Sequence, residues 1–397
     1  MESETITTGI EETATSSQTA WAVTSDNKLF GCGRNNYGQQ GDGTTTDVKT
    51  FTQRLTDQNV KYAVCSNGTI WAVTTNGKLF GCGYNEYGQQ GDGTTTNVTE
   101  FTQRLTDQNV KYAVCSDETT WVLTTDGKLF GCGRNATGQQ GDGTTTNVTE
   151  FTQRLTDQTV KDVIATGLTT WAITTDGKLF GCGQNTFGHQ GDGTTTNVTT
   201  FTQRLTDQTI ADVVCSGGTT WAVTTDGKLF GCGSNGSGQQ GDGTTTDVKT
   251  FTQRLTDQTV KEVICSTSTT WAVTTDGKLF GCGHNTYGQQ GDGTTTDVKT
   301  FTQHLTDQNV KEVICSTNTT WAVTTDGKLF GCGHNTYGQQ GDGTTTNVTE
   351  FTQRLTEYGG TQTNVSVYSQ LLQIIPLVVA IGIVVMTAMA IFIKRNG

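Results

Sequence analysis

Histidine is the residue type of this 397-residue chain best suited to acid–base or metal chemistry, and it occurs four times. His189, His284, His304 and His334 fall at three different positions of a 50-residue repeat, so they do not form a ring of equivalent groups. None has a nucleophile or a carboxylate cluster beside it, as general acid–base or triad catalysis requires. We therefore expect exposed or loop histidines, and we predict that the chain is not an enzyme.

The twelve cysteines follow the same repeat and occupy two of its positions. A one-to-one disulfide scheme between the two sets would leave two thiols over. No C-x-x-C motif or Cys/His pair has the spacing of a metal site. Because free cysteine behaves as a small buried hydrophobe, we expect thiols that fill strand positions, with no metal and no cofactor; disulfides or a bound metal are the alternatives. The first set is Cys32, Cys82, Cys132, Cys182, Cys232, Cys282 and Cys332, and the second is Cys65, Cys115, Cys215, Cys265 and Cys315.

A glycine-rich loop recurs in each repeat, and in the first it reads Gly38-Gln39-Gln40-Gly41-Asp42-Gly43. A phosphate cradle needs a following helix, and in the Walker form a lysine, whereas threonines and a strand follow here. A calcium loop needs carboxylates at alternating positions and a glutamate downstream, whereas three threonines lie between Asp42 and Asp47. We therefore expect a solvated polar turn in which the glycines supply positive φ.

The elements that position these residues are defined by the repeat itself. Seven tryptophans, from Trp21 to Trp321, recur every 50 residues. Self-similarity with a period of about 20 to 50 residues is typical of a solenoid, a propeller or an array. We expect the tryptophans to be buried strand residues that pack neighbouring repeats together.

The second repeat shows the unit. An apolar run at 60–65 is followed by a small polar turn and by the β-prone segment 71–74. Asn76-Gly77 is a strong hairpin signal, 78–83 forms the returning strand, and an outer strand runs through Val98 and Phe101. Four strands (A to D) in 50 residues are the size of one propeller blade.

The repeats therefore predict an all-β fold, a seven-bladed β-propeller of 50-residue repeats spanning 10–356. A solenoid is the competing architecture and would need atypical capping repeats. Seven units suit a ring, since closure removes the exposed ends. The first inner strand comes either from the degenerate segment 10–16 or from 363–368, and the sequence leaves both open.

The charge of the chain argues against one class of partner. Its formal net charge is −12, and lysine and arginine are spread thinly along the repeats. Nucleic-acid-binding proteins carry a basic face that displaces counterions from phosphate. Nucleic acid is therefore not expected as a partner.

The repeat resembles the regulator of chromosome condensation repeat family, whose members are seven-bladed propellers. The chain departs from that family by having Cys32 in place of a tryptophan, Gln40 in place of a leucine, and threonines such as Thr69 and Thr119 in place of a histidine. The founding member is an exchange factor for the small GTPase Ran and inserts a β-wedge between strands, for which a strict 50-residue period leaves no room. The residues that carry the resemblance are Asp126-Gly127-Lys128-Leu129-Phe130-Gly131-Cys132-Gly133, Asn135 and Gly138-Gln139-Gln140-Gly141-Asp142-Gly143.

The repeats differ from one another mainly in the A–B turn and at the start of the C–D loop. In an up-and-down blade these two connections lie at the same end, so the variable residues should share one face. Because loops on a rigid scaffold carry recognition, we hypothesise that this face binds a protein or a glycan; neutral drift after duplication is the alternative. The candidate residues are Arg34, Tyr37, Tyr84, Glu86, Tyr87, Arg134, Gln184, Phe187, His284, Tyr287, His334 and Tyr337 in the loops, and Asn67, Asp117 and Glu118 in the turns.

After a linker at 357–370, an uncharged segment begins at Leu371 and ends at Ile393. As a helix its 23 residues would extend about 34 Å, enough to cross a lipid bilayer. The basic tail 394–397 begins with Lys394, so the positive-inside rule places the propeller outside the cell. However, the N-terminal tail 1–9 lacks the features of a signal peptide. The alternative is a tail-anchored, cytosol-facing regulator, an exchange factor or scaffold for a small GTPase.

Overall fold

The structure, a computed structural model, describes residues 9–16, 18–116 and 118–355. These residues form 28 strands in seven four-stranded antiparallel sheets, one for each repeat. The predicted all-β fold and the seven propeller blades are confirmed. The linker 357–370, the predicted transmembrane helix 371–393 and the basic tail 394–397 lie outside the described residues and stay predictions. Within the described residues there is no helix with the length and apolar character to span a bilayer.

Each blade contains strands A to D in chain order, and each strand pairs with the one before it. The A strands are β1 (Ile10–Ser16), β5 (Val60–Ser66), β9 (Val110–Ser116), β13 (Val160–Thr166), β17 (Ile210–Ser216), β21 (Val260–Cys265) and β25 (Val310–Cys315). The B strands are β2 (Thr19–Thr24), β6 (Thr69–Thr74), β10 (Thr119–Thr124), β14 (Thr169–Thr174), β18 (Thr219–Thr224), β22 (Thr269–Thr274) and β26 (Thr319–Thr324). The C strands are β3 (Leu29–Gly33), β7 (Leu79–Gly83), β11 (Leu129–Gly133), β15 (Leu179–Gly183), β19 (Leu229–Gly233), β23 (Leu279–Gly283) and β27 (Leu329–Gly333). The D strands are β4 (Val48–Arg54), β8 (Val98–Arg104), β12 (Val148–Arg154), β16 (Val198–Arg204), β20 (Val248–Arg254), β24 (Val298–His304) and β28 (Val348–Leu355).

The inner strand of blade 1 comes from the N-terminal segment. Ile10 pairs with Thr24 and Ser16 pairs with Thr19 across β1 and β2. This decides between the two alternatives that the sequence left open. Blade 1 is thus built from a local meander, like the six that follow it.

Neighbouring blades are joined by an aromatic contact that repeats along the chain. Trp71 in blade 2 is fully buried and makes an edge-to-face contact with Phe151 in blade 3, with the ring centroids 5.6 Å apart. Gly91 lies beside the same phenylalanine with a φ of 62°, and a Cβ there would overlap the ring. An isolated bridge pairs Asp92 with Glu150 at the same junction. Such edge-to-face pairs stabilise by about 0.5–1.5 kcal/mol beyond the area that they bury.

The cysteines of the C strands add a second link between blades. The Cys132 thiol in blade 3 donates to the Gln89 carbonyl in blade 2 over 3.4 Å, and the Thr120 hydroxyl donates to the same carbonyl over 2.8 Å. All twelve cysteines are free thiols and eleven are buried, as the sequence predicts. Burial raises the pKa of Cys132 well above its usual value. Cys32, in blade 1, is the partly exposed member.

The junction between blade 7 and blade 1 differs from the six others. Trp321 is partly exposed, whereas its six equivalents are buried. Phe51 in blade 1 is 39% exposed, and no atom of the described residues lies within 4 Å of a Cβ built on Gly341 in blade 7. In the part of the chain that the structure describes, no ring pair or isolated bridge of the recurring kind connects these two blades. Ring closure, expected from the count of seven, is therefore not made by this junction in the described residues.

Candidate interaction surface

The A–B turn and the start of the C–D loop are hydrogen-bonded to each other in every blade. In blade 2 the Tyr84 N–H donates to the Gly68 carbonyl over 2.9 Å, and the equivalent bond recurs in the six other blades. Gly83 has a φ of 101°, and a Cβ there would overlap the Gly68 carbonyl, so this close approach requires glycine. The predicted sharing of one face by the two variable connections therefore holds. We call these turns and loop starts the loop face.

A buried asparagine holds each C–D loop in shape. In blade 2, Asn85 donates through Nδ2 to Asp92 Oδ1 over 3.1 Å and to the Thr96 carbonyl over 3.0 Å. Its Oδ1 accepts the Gln90 N–H over 2.8 Å. The same three bonds occur in all seven blades, so the variable side chains project from a uniform base.

The aspartates of these loops are occupied by donors from the protein. The Asp42 carboxylate accepts bonds from Thr44 and Asn35 and forms an ion pair with Arg54 at 3.2 Å. Burial alone would raise the pKa of Asp42, but these donors outweigh it and lower the pKa. Asp47 accepts the Asn35 N–H over 2.9 Å. No group of three or more metal-ligating side chains occurs among the described residues.

In blades 1 to 3 the loop face carries a continuous row of stacked side chains. The Arg34 guanidinium lies over Tyr37, 5.4 Å from the ring centroid. The ring centroids of Tyr37 and of Tyr84 in the next blade are 4.8 Å apart, and those of Tyr84 and Tyr87 are 6.3 Å apart. Arg134 of blade 3 lies over Tyr87 at 5.3 Å. We call these five residues the arginine–tyrosine row.

Acidic and amide groups of the same face fix this row. The Tyr84 hydroxyl donates to Glu86 over 2.8 Å, and the Arg134 guanidinium donates to Glu118 in the A–B turn over 3.1 Å. Arg34 donates to the Gln18 side chain in the same way. Burial and the Glu86 carboxylate raise the pKa of Tyr84, so its hydroxyl stays neutral at physiological pH. Both arginines are thus held by partners from the turns.

A shorter row occupies blades 6 and 7. Tyr287 lies between His284 of its own blade, at 6.4 Å, and His334 of the next blade, at 4.7 Å. His334 in turn contacts Tyr337 at 6.2 Å. Gln289 Oε1 accepts the Tyr287 N–H, so its Nε2 donates to His284 Nδ1 over 2.8 Å. This bond makes Nδ1 an acceptor and leaves the ring proton on Nε2.

The two rows are separated by smaller side chains. Blades 4 and 5 present Gln184 and Ser234, and between them Phe187 is 40% exposed and lies over Gly218. Asn67 and Glu118 adopt positive φ in their turns. Asp117 lies outside the described residues, and a binding role for the other candidate residues stays a prediction.

One of the four histidines, His304, contradicts the expectation of exposed or loop positions, and a second, His189, is a loop residue as expected but is buried. His189 occupies the Gln39 position of its repeat, where burial lowers its pKa to about 4. His304 is the last residue of β24 and packs against Trp271 at 5.2 Å, and burial lowers its pKa to about 4 as well. Their repeat positions are buried or half-buried glutamine and arginine elsewhere in the chain. Comparison with those equivalents, rather than with histidine in general, would have predicted the burial.

The model of the regulator of chromosome condensation (RCC1) repeat matches residues 210–239, 260–289 and 310–339. Blades 5, 6 and 7 thus contain RCC1-type repeats. The four remaining blades of this RCC1-repeat propeller carry the same glycine, asparagine and glutamine positions, so the resemblance seen in the sequence is confirmed. No curated protein matches the chain in sequence.

Solved structures share the fold. Human WBSCR16 is 20% identical, with a TM-score of 0.61 over 79% of this chain and 85% of that one. Yeast RCC1 (Prp20), solved with Kap60 bound, is 18% identical, with a TM-score of 0.57 over 77% of this chain and 78% of that one. A second structure, of Prp20p from Saccharomyces cerevisiae, is also 18% identical, and its description reports binding to Gsp1p and histones. At these identities the likeness concerns the fold alone.

Proposed function

We propose that this RCC1-repeat propeller is an interaction module that binds a protein through its loop face, with the arginine–tyrosine row as the principal contact. The continuity of that row carries the proposal. Tyrosine and arginine are the residues that most often dominate binding energy at protein interfaces. Stacking and hydrogen bonds already hold these side chains, so little rotamer entropy remains to be lost on binding.

Two further observations support a protein as the ligand. The scaffold below the row is uniform from blade to blade, while the side chains on it vary. Prp20, which has the same fold, is described as binding Gsp1p and histones. A glycan could also stack on exposed tyrosine rings, and we treat it as the competing ligand.

The test compares binding by variants on opposite ends of the blades. Tyr37→Ala with Tyr84→Ala truncates the centre of the row, and Asp226→Ala with Lys228→Ala is the control on the uniform B–C turn, where the two form an exposed ion pair. We expect proximity labelling in the native cell to lose specific proteins with the tyrosine variant and to keep them with the control. Retention of every labelled protein by the tyrosine variant would refute the proposal. Loss of glycan-array binding alone would assign the row to a glycan.

We further propose that residues 371–393 anchor the propeller to a membrane, with the propeller outside. Residues 371–393 carry no charge and are long enough to cross a bilayer as a helix, and the basic residues Lys394 and Arg395 follow them. Protease added to intact cells is expected to digest the propeller and leave a short membrane-bound fragment. Protection until the membrane is permeabilised would place the propeller in the cytosol instead.

A second candidate function is nucleotide exchange on a small GTPase. The description of Prp20 as a protein that binds Gsp1p favours it. The equal length of all repeats counts against it, because no insertion is present to act as a wedge. Release of a fluorescent nucleotide from candidate GTPases tests this function, and it also requires the cytosolic orientation.

A further inference from the structure

Nine asparagines of the chain begin the tripeptide Asn-x-Ser/Thr, the sequon that accepts N-linked glycans. Four of them occupy one position of the repeat, directly before the D strand, and each is followed by Val-Thr. Blades 1, 5 and 6 have aspartate at this position, followed by Val-Lys. Asparagine here thus always occurs with threonine two residues later, and aspartate with lysine. We call the four residues the rim asparagines: Asn97, Asn147, Asn197 and Asn347.

Each rim asparagine uses its side-chain oxygen for the fold. In blade 3, Asn147 Oδ1 accepts the backbone N–H of Asn135 over 3.0 Å. In blade 5, Asp247 Oδ1 accepts the equivalent N–H over 2.9 Å, so the fold requires an oxygen at this position and not an amide. Asn147 and Asn197 are exposed, and neither amide nitrogen donates a hydrogen bond within the described residues. N-glycosylation modifies that nitrogen, and a glycan on it leaves the Oδ1 bond in place.

The threonine of these sequons is not selected by packing. In blade 3, Thr149 lies against Gly88 of the preceding blade through its Cα and its methyl carbon. In blade 5, Lys249 lies against Gly188 in the same way, through its Cα, Cβ and Cγ. The fold therefore accepts either side chain and gives no reason for a hydroxyl to accompany each asparagine.

Two other sequons lie where the folded protein has no room for a glycan. Asn135 and Asn235 are fully buried and hold their C–D loops in shape. Asn135 Nδ2 donates to Asp142 Oδ1 and to the Thr146 carbonyl, each over 3.0 Å. A glycan on that nitrogen would displace these bonds from a buried site. These two sequons are therefore internal negative controls.

The sequons of two A–B turns have their hydroxyl engaged instead. The Thr69 hydroxyl, in the sequon that begins at Asn67, donates to the Tyr84 carbonyl over 3.0 Å. The Thr320 hydroxyl, in the sequon that begins at Asn318, is buried and donates to a carbonyl of the preceding blade over 2.8 Å. The ninth sequon, at Asn364, lies outside the described residues.

We propose that the rim asparagines are N-glycosylated, which places glycans beside the loop face in blades 2, 3, 4 and 7. In the transfer, Nδ2 forms a bond to the anomeric carbon of an activated glycosyl donor and gives up one proton, while the bond from that carbon to a diphosphate leaving group breaks. Blades 1, 5 and 6 stay unmodified because aspartate has no amide nitrogen. The inference rests on the proposed orientation of the propeller outside the cell, since sequons are acceptors in proteins that leave the cytosol.

The test uses the full-length protein purified from its native membranes, with peptide mass spectrometry in a fragmentation mode that keeps each glycan on its residue. We expect a glycan mass at every rim asparagine and none at Asn135 or Asn235. Thr149→Lys should lose the Asn147 glycan although Asn147 itself is unchanged. Because blades 1, 5 and 6 have lysine at this position, misfolding does not account for that loss. Thr149→Ser, which restores a hydroxyl, should keep the glycan.

The converse variant, Asp47→Asn with Lys49→Thr, builds the sequon in blade 1 and should gain one glycan there. Absence of glycans from all four rim asparagines, in a propeller that external protease digests, would overturn this inference and leave the proposed orientation standing. Protection of the propeller from that protease would overturn the orientation and this inference together. A glycan on buried Asn135 of the folded protein would contradict the assignment by geometry.

Discussion

The indole N–H of Trp71 in blade 2 donates to Thr120 Oγ1 in blade 3 over 3.1 Å, and both side chains are fully buried. The Thr120 hydroxyl in turn donates a hydrogen bond to the Gln89 carbonyl. Trp221 and Thr270 repeat the first bond at the junction of blades 5 and 6. A chain of hydrogen bonds therefore crosses an interface that also contains aromatic rings, glycines and the Cys132 thiol.

Thr120→Val keeps the shape of that side chain and removes the hydroxyl. We expect a loss of about 1–3 kcal/mol in the free energy of unfolding, because a buried N–H loses its acceptor. Urea denaturation followed by tryptophan fluorescence measures the loss. Thr95→Val, in an exposed loop, is the control and should be neutral. Equal stability of the two variants would show that this chain of hydrogen bonds contributes nothing.

Gly91→Ala and Gly341→Ala place the same methyl group at equivalent positions of a packed and an open face. Both positions have a positive φ, so each substitution costs about 1 kcal/mol of backbone strain. At Gly91 the methyl group also overlaps Phe151, which adds about 1–3 kcal/mol. We expect Gly91→Ala to lower the melting temperature markedly more than Gly341→Ala. Equal effects would mean that blade 7 is packed as the others are.

The thiols should differ in reactivity according to their place in the row of blades. Cys32 is partly exposed, whereas the eleven other cysteines are buried. Alkylation of the native protein, followed by peptide mass spectrometry, should modify Cys32 first and the rest only on unfolding. Cys32→Ser removes the fast site. Fast modification of several buried positions would contradict the packing described for the junctions.

His189 and His304 should make the fold sensitive to acid. Burial holds both pKa values at about 4, below the value near 6.5 of an unfolded histidine. Between these values the unfolded chain binds more protons than the folded one, so stability is present above pH 6.5 and is lost as pH falls towards 4. Each shift corresponds to about 3 kcal/mol at most.

The double variant His189→Gln with His304→Arg restores the residues found at these positions in most other repeats. We expect its unfolding free energy to fall less than that of the wild type between pH 6.5 and 4. Glu12 acts in the opposite direction, since burial raises its pKa to about 7, but it is present in both proteins and cancels in the difference. Gln139→His places a third buried histidine in the chain, at the position in blade 3 that is equivalent to His189 in blade 4. This variant should lose unfolding free energy more steeply than the wild type as the pH falls. Parallel pH profiles for all three proteins would argue against buried neutral histidines.

The sequence predicts the blades well because each depends on local signals. The apolar run at 60–65, the β-prone segment 71–74, the Asn76-Gly77 turn and the tryptophan period predict the four strands of blade 2. The joint placement of Tyr84 and Gly68 on one face follows from the up-and-down order alone.

Contacts between repeats are harder to predict. The stacking of Tyr37 on Tyr84 depends on how one blade is rotated against the next, and neither propensity nor period encodes that rotation. For the same reason, identical repeats predict identical junctions and give no sign that Phe51 stays exposed. The burial of His304 depends on the neighbouring Trp271 and Phe351, which lie in adjacent elements rather than adjacent sequence.

The stacking across junctions has a consequence for how such a surface can change over time. The side chain at the position of Tyr37 in one blade contacts the side chain at the position of Arg34 in the next blade, as Tyr37 contacts Tyr84. The junctions beneath this surface use the same tryptophan, glycine and phenylalanine positions. Unequal recombination between repeats would exchange whole 50-residue units without altering a single junction. Each exchange would nevertheless bring a new pair of side chains together on the loop face. Shuffling of existing units can therefore generate new surfaces at little cost in stability.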